Sequence, residues 1–416
     1  MIFDCSPVNF ANAILAVLAL LSLALALWQW FAARRFPLHR RVIDLSFSPG
    51  ITLLKPLKGC DETTTESLQS WFNQNYTGRT QIIFGVADTD DPVCKIVREL
   101  IGKNPGRDVQ LIICNKLSGA NAKVAKLVQL EKLAKHDLIL VSDADVRVPS
   151  DFLVNVVAPL RDEGRAGSPL PAKATQARDG AYGVTRPTAV GLVNCFYRLA
   201  NPTTTAMQWE AVAINADFWS QVLQAASLKP LDFALGAVML TRRKLLEEIG
   251  GFRALADCLA DDYQLGHRIA QNGHHIALCP VVVECWDAPM NWREVWQHQL
   301  RWARTIRVCQ PLPYFFSILS NATFWPLLWL VVSLVSEKSL CGPLTAVACL
   351  LIRICLAQNL QRRLMQSQDN LAPPWFVPVK DLLQVAVWIG AFTGSTVEWR
   401  GRRMKLRRDG TMVEGK

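Results

Sequence analysis

Apolar patterning divides the chain into three regions. Between Asp4 and Arg34 no charged residue occurs, and Phe10 to Ala33, FANAILAVLALLSLALALWQWFAA, exceeds the ~20 residues that cross a bilayer as a helix. Asp4 precedes this run, and Arg34, Arg35, Arg40 and Arg41 follow it, the reverse of a cleaved leader. The pattern predicts a membrane span over 1–35 with the next domain in the cytoplasm and Trp28 and Trp30 at the interface. From Ile51 short apolar runs alternate with amphipathic stretches. Strands are expected at Ile51 to Gly59, Gln81 to Asp88, Val109 to Cys114 and in DLILVSDAD, Asp137 to Asp145; helices are expected at Asp61 to Asn75, Asp91 to Lys103 and Asn121 to Lys135. Apolar strands between helices imply a mostly parallel central sheet covered on both faces, an α/β nucleotide-binding-like architecture. Ligands of such sheets bind beyond the carboxyl ends of the strands.

The rhythm breaks at Arg161 to Ala189, rich in Gly, Pro, Ala and charges, which reads as a flexible loop or insertion. Regular structure resumes at VGLVNCFYRL, with a long helix expected in Thr205 to Ala225, a strand and helix within Phe233 to Phe252, a helix near Leu259 to Gly273 and a strand at HHIALCPVVVEC. The α/β domain therefore spans 44–290. Asn291 to Phe316 then mixes Trp292, Trp296 and Trp302 with Arg301, Arg304 and Arg307 at helical spacing, as an interfacial amphipathic helix over 291–311 does. Membrane segments fill 312–400: Phe315 to Val335, Ser339 to Leu360, and Trp375 to Val397, the last interrupted by Lys380 and Asp381. Three crossings would leave the basic tail, 401–416, outside. A re-entrant or interfacial third segment keeps that tail and Gln361 to Arg363 in the cytoplasm, and is the expectation.

Composition narrows the partner. Lys and Arg number 45 against 35 acids, a net +10 that suits an anionic partner: nucleic acid, a phosphorylated substrate or a lipid surface. Basic residues flanking apolar runs favour the bilayer, with no nucleic acid. Twelve scattered cysteines without a CxxC pair read as reduced thiols, and zinc is not expected.

Carboxylates mark the candidate chemistry. Asp88, Asp90 and Asp91 follow the second strand, and Asp143 and Asp145 the fourth. Each cluster alone is equally a set of solvated turn and cap residues; two at one sheet edge favour a ligand. Paired Asp can hold a hard divalent cation, Mg²⁺ or Mn²⁺, which binds phosphates while keeping waters, and this fits a nucleotide diphosphate. Lys123, at a helix start, is placed to help with phosphate or is a solvated surface residue. Asp261 and Asp262 either cap a helix or supply a general base.

In order, VADTDDP, VSDADVRV, LADDYQLG and HQLRW resemble the motifs of membrane-bound, processive-type glycosyltransferases with a GT-A catalytic fold. FGVADTDDP, GANAKV, DADVRVP, GGF and DDY are similar to ceramide glucosyltransferases of glycosyltransferase family 21, and VGLVNCFYRLANPTT, WEAVAINADFWSQVLQ and LRWARTIRVCQP resemble bacterial hopanoid-biosynthesis-associated glycosyltransferases. The resemblance implies Asp88 at the uridine, with Asp90 and Asp91 beside it, Asp143 and Asp145 at diphosphate and metal, and Asp262, next to Asp261, as general base. Arg301 and Trp302 match the last two positions of (Q/R)-x-x-R-W, where His298 replaces the first. The implied partners are a UDP-sugar and a lipid acceptor, hopanoid or ceramide-like, at a bacterial inner membrane. A membrane protein whose soluble domain merely binds nucleotide would need no general base.

Overall fold

Eight strands form the central sheet: β1 (Ile51–Pro56), β2 (Thr80–Val86), β3 (Asp108–Ile113), β4 (Leu138–Ser142), β5 (Val146–Arg147), β6 (Val190–Leu199), β7 (Val238–Arg242) and β8 (His275–Cys285). The computed structural model describes residues 7–115, 118–161, 189–336, 340–366, 371–399, 402–407 and 409–414, so the expected 161–189 loop lies almost wholly outside the described residues. The order is β3-β2-β1-β4-β7-β6-β8-β5. β1 pairs in parallel with β2 and β4, β2 with β3, and β6 with β8; β7 runs antiparallel between β4 and β6, and β5 antiparallel to β8. Every residue of β1 is buried because both faces are covered. Leu54 packs with Ile83, Ile139 and Val141 on one face, and Leu53 with Phe84 and Leu140 on the other.

The long helix expected at Thr205 to Ala225 is interrupted. Thr205–Val212 and Trp219–Leu228 flank a π-helical turn, Ala213–Phe218, a distortion frequent at functional sites.

Among the described residues two helices, Asn9–Arg35 and Cys341–Met365, are long and apolar enough to cross a membrane, and Pro311–Ser320 with Phe324–Ser336, bent by 44°, make a third if counted as one span. Arg363 donates to the carbonyls of Ala33 and Phe36, so the C-terminal ends of Pro7–Arg35 and Cys341–Met365 lie together. The third apolar segment, Phe376–Phe392, is not among the helices long enough to cross. Phe376–Phe392 packs along Trp292–Cys309 and buries Lys380 and Asp381 among charges. Arg353 of Cys341–Met365 reaches Asp217 of the π turn at 2.8 Å and Asp381 at 2.9 Å, and Lys380 pairs with both acids. Thr323 Oγ1 also donates to Asp381. Carboxylate and cation stay close because neither survives alone in an apolar layer.

The segment read as a basic tail carries structure. Thr396–Trp399, Arg402–Leu406 and Met412–Glu414 form an antiparallel three-stranded sheet in which Val397, Met404, Leu406 and Met412 make a small core. Met412 N donates to Asp257 O at 2.7 Å, and Thr411 bridges to Cys258, so this sheet braces the loop before Asp261. Net charge hid the alternation of buried residues between the Arg and Lys side chains.

Candidate active site

Parallel pairing of β1 with β4 sets Leu54 beside Val141, which brings Lys55 to Asp143. Lys55 Nζ donates to Asp143 O at 2.6 Å and Ser142 Oγ at 3.1 Å and lies 4.9 Å from the Trp71 ring centroid. Burial pulls this ammonium down to about 7 against the attraction of Asp145 and Asp143. Antiparallel β7 delivers its N-terminal end to the same place: Asp143 N donates to Ala237 O. Ala237 has φ 66°, unusual for a residue with a Cβ, and centres a tight turn closed by Val238 N to Gly236 O at 2.9 Å.

Asn121 caps Ala122–Glu131, its side chain accepting from Lys123 N and Val124 N, and so aims Lys123 across the cleft. Lys123 Nζ bridges Asp143 Oδ1 at 2.7 Å and Asp261 Oδ2 at 3.0 Å. Burial opposes its charge, but the two carboxylates outweigh burial and hold the ammonium well above its usual range. Lys123 therefore welds the Asp143 turn to the Asp261 helix. Asn121 Nδ2 adds Cys258 O at 2.8 Å and Asp261 Oδ1 at 3.4 Å.

Asp262 heads Asp261–Gln271 and accepts from Tyr263 N at 2.7 Å. A Cβ on Gly236 would stand 2.9 Å from Asp262 Oδ2, so the missing side chain is what admits this carboxyl beside the Asp143 turn. Burial first, then Asp261, pushes Asp262 up to about 6, while Lys123 acts oppositely. A base poised there is ionised at neutral pH yet able to accept a proton.

Asp145 is pushed up to about 7 by burial, then by Asp287 and Asp143; Asp287 is raised to about 6 by burial, with His298 opposing. Among the described residues no three His, Cys, Asp or Glu side chains form a ready metal cage. The Asp143 and Asp145 carboxylates still fit a hard cation that takes its remaining oxygens from phosphate and water, because Asp145 faces like charges that only a cation or a proton relieves.

The other expected residues divide. Asp88 is exposed at the end of β2, its Oδ1 accepting from Asp90 N at 3.0 Å; Asp90 is exposed too. Asp91 spends its oxygens on Gly59 N and Val93 N, tying the loop after β1 to a helix start. Arg301 lies half-buried on Trp292–Cys309. On that helix Trp302 packs edge-on to His298, centroids 4.6 Å apart, and tilts against Phe218 of the π turn. Sequence reading passed over Lys55, Gly236 and Asp287; the lone Lys inside the apolar run ITLLKP was the visible signal for the first.

The model of the family described as Glycosyl transferase family 21 matches residues 14–183 and 181–412. Ceramide glucosyltransferase 3 of Caenorhabditis elegans is 21% identical over 244 residues, 59% of this chain and 48% of that protein. Ceramide glucosyltransferase of Candida albicans is 35% identical over 128 residues, 28% and 24% of the two chains. Probable glycosyltransferase YdaM of Bacillus subtilis is 24% identical over 257 residues, 62% and 55%. The chain spans about half or less of the length of these relatives. The mannosyltransferase PcManGT from Pyrobaculum calidifontis, in complex with GDP-Man and Mn²⁺, superposes with TM-score 0.52 over 92% of this chain and 97% of its own, at 19% identity, a likeness of fold.

Proposed function

Because the chain belongs to glycosyl transferase family 21, we propose that it is a membrane-bound, inverting glycosyltransferase that moves a sugar from UDP to a hydroxyl of a membrane lipid. Its α/β domain has the GT-A fold. The observation that carries the reading is Asp262: a half-buried carboxyl raised to about 6, admitted beside the Asp143 turn by Gly236 and next to Asp261, which Lys123 bridges to Asp143. Asp262 takes the proton of the acceptor hydroxyl as the hydroxyl oxygen attacks the anomeric carbon, whose bond to the diphosphate oxygen breaks and releases UDP. Asp88 contacts the uridine, and Arg301 and Trp302 stand at the diphosphate and acceptor end. Asp143 and Asp145 would hold a Mg²⁺ or Mn²⁺ ion, which when bound supplies neutralisation of the diphosphate charge.

The acceptor arrives from lipid. Phe376–Phe392 packs on Trp292–Cys309 and also touches Phe324–Ser336 and Cys341–Met365, and the interfacial character of Trp292–Cys309 lets a tail remain in the bilayer while the hydroxyl reaches the site. Arg34, Arg35, Arg362 and Arg363 cluster at the adjoining ends of two candidate spans, which supports a multi-pass protein of a bacterial inner membrane with the domain on the cytoplasmic face. The favoured substrates are UDP-N-acetylglucosamine and a bacteriohopanetetrol-type hopanoid, because the longest matching strings, such as WEAVAINADFWSQVLQ, resemble that branch. The second reading, UDP-glucose and ceramide, has the similarity to ceramide glucosyltransferases in its favour. Membranes holding the protein, given each UDP-sugar with hopanoid or ceramide, with and without Mg²⁺ or Mn²⁺, should yield one mono-glycosylated lipid by mass. No glycolipid with any donor would refute the proposal.

A further inference from the structure

Residues 256–259 lead into Asp261–Gln271 outside any named helix or strand, so their backbone groups must find partners elsewhere. Two distant segments supply them. In the first, Ala120 N donates to Asp257 Oδ1 at 2.9 Å, Asn121 N to Ala256 O at 2.8 Å and Asn121 Nδ2 to Cys258 O at 2.8 Å. Gly119 makes this approach possible: its φ is 100°, and a Cβ there would stand 2.7 Å from Ala256 O. In the second, Met412 N donates to Asp257 O at 2.7 Å, Leu259 N donates to Gly410 O at 3.5 Å, and Thr411 bridges Cys258. The loop that carries Asp261 and Asp262 is laced both to the start of Ala122–Glu131 and to the C-terminal sheet.

That sheet also grips Trp292–Cys309. From this helix Arg307 Nη2 donates to Gly394 O at 3.1 Å, Arg304 donates to Thr396 O, and Gln297 Nε2 donates to Glu398 Oε2 at 3.3 Å. The four buried side chains of the sheet, Val397, Met404, Leu406 and Met412, pack against Ala120, Leu259 and Val308, one residue from each of the three segments. Strands of four, five and three residues around so few apolar side chains draw their stability from that docking. Lys123 reaches Asp261 from one of these segments, and Asp262 follows another, so the sheet lies where their spacing is set.

We propose that the C-terminal sheet is a positioning unit of the transfer site: by clamping the 256–259 loop to the start of the Lys123 helix and to Trp292–Cys309, it holds Asp262 where the acceptor hydroxyl arrives. The inference rests on the sugar-transfer reading above, in which Asp262 is the base. The core contacts of the sheet fall on Ala120, Leu259 and Val308, and none of them on Asp88, Asp143 or Asp145. Loosening the sheet therefore bears on the base more than on the nucleotide, and a small misplacement of a catalytic group is costly.

Kinetics of lipid glycosylation and UDP binding with Mn²⁺, on the full chain in lipid nanodiscs, test this together. Leu406→Ala should lower kcat about tenfold while the UDP-sugar KM and UDP affinity stay within about twofold of the parent. Leu406→Met, which conserves volume, should keep kcat within about twofold. Asp257→Ala, which frees Ala120 N without touching the core of the sheet, should lower kcat about threefold, and Asp257→Asn, whose Oδ1 still accepts, should restore it. Parental kcat in Leu406→Ala, a loss that falls equally on UDP affinity, or a failure of Leu406→Met and Asp257→Asn to restore turnover would overturn the proposal. If Leu406→Ala does not fold, Asp257→Ala with parental kcat overturns it equally. Parent protein that glycosylates no lipid with any UDP-sugar would instead bring down the sugar-transfer reading itself.

Discussion

Two charged clusters sit in this molecule at opposite ends of its polarity scale. At the sheet edge, the carboxyls of Asp143, Asp145, Asp261, Asp262 and Asp287 gather around the ammoniums of Lys55 and Lys123. Among the spans, Asp217 and Asp381 face Arg353 and Lys380, two against two. The second cluster is balanced, buried and drawn from three elements, Ala213–Phe218, Cys341–Met365 and Phe376–Phe392, which suits a fixed joint between the α/β domain and the candidate spans. The first carries surplus acid, and its strain shows in three carboxyls lifted to about 6 or 7. Surplus charge in a cleft is a place for something to bind or for a proton to move.

Breaking the balanced cluster should have the largest effect on folding. Arg353→Met leaves two buried acids to one Lys and should cost about 3–5 kcal/mol. Thermal unfolding in detergent would read this, and UDP affinity of the surviving folded fraction should be unchanged. At the unbalanced site, Gly236→Ala should lower turnover by about a hundredfold, because its Cβ would meet Asp262 Oδ2 at 2.9 Å and a small misplacement of a catalytic group is costly. Steady-state kinetics should show the loss in kcat with the UDP-sugar KM little altered. The smallest change is one of pH. Asp262 is raised by burial, so its proton-accepting form is lost as pH falls through about 6. Turnover should therefore fall about tenfold per unit below that point and level off above it.

Much of this was legible in sequence because the physics was local. Buried strands read as apolar runs, and Asp143, Asp145 and Asp262 stood at element ends where ligands and caps collect. Lys123 was expected near phosphate; it spans Asp143 and Asp261, a role set by residues on two other elements that no local pattern encodes. Asp287 lies far along the chain from Asp145 and bears on it only where the fold brings the two together. Lys380 and Asp381 were visible as a flaw in an apolar run, but their partners were not: Arg353 passes as a blemish in a span, and Asp217 sits in a π turn that helical periodicity reads as ordinary helix. The strands of the tail were hidden by their own Arg and Lys residues, since burial there alternates with charge over only a few positions.

The central claim, a half-buried carboxylate acting as base at the carboxyl edge of the sheet, is tested most directly with Asp262→Asn. Lipid glycosylation and UDP binding should be measured side by side on the same membrane preparation. Turnover should drop by about a thousandfold while UDP affinity stays within a few-fold of the parent. Full turnover in this variant would contradict the account.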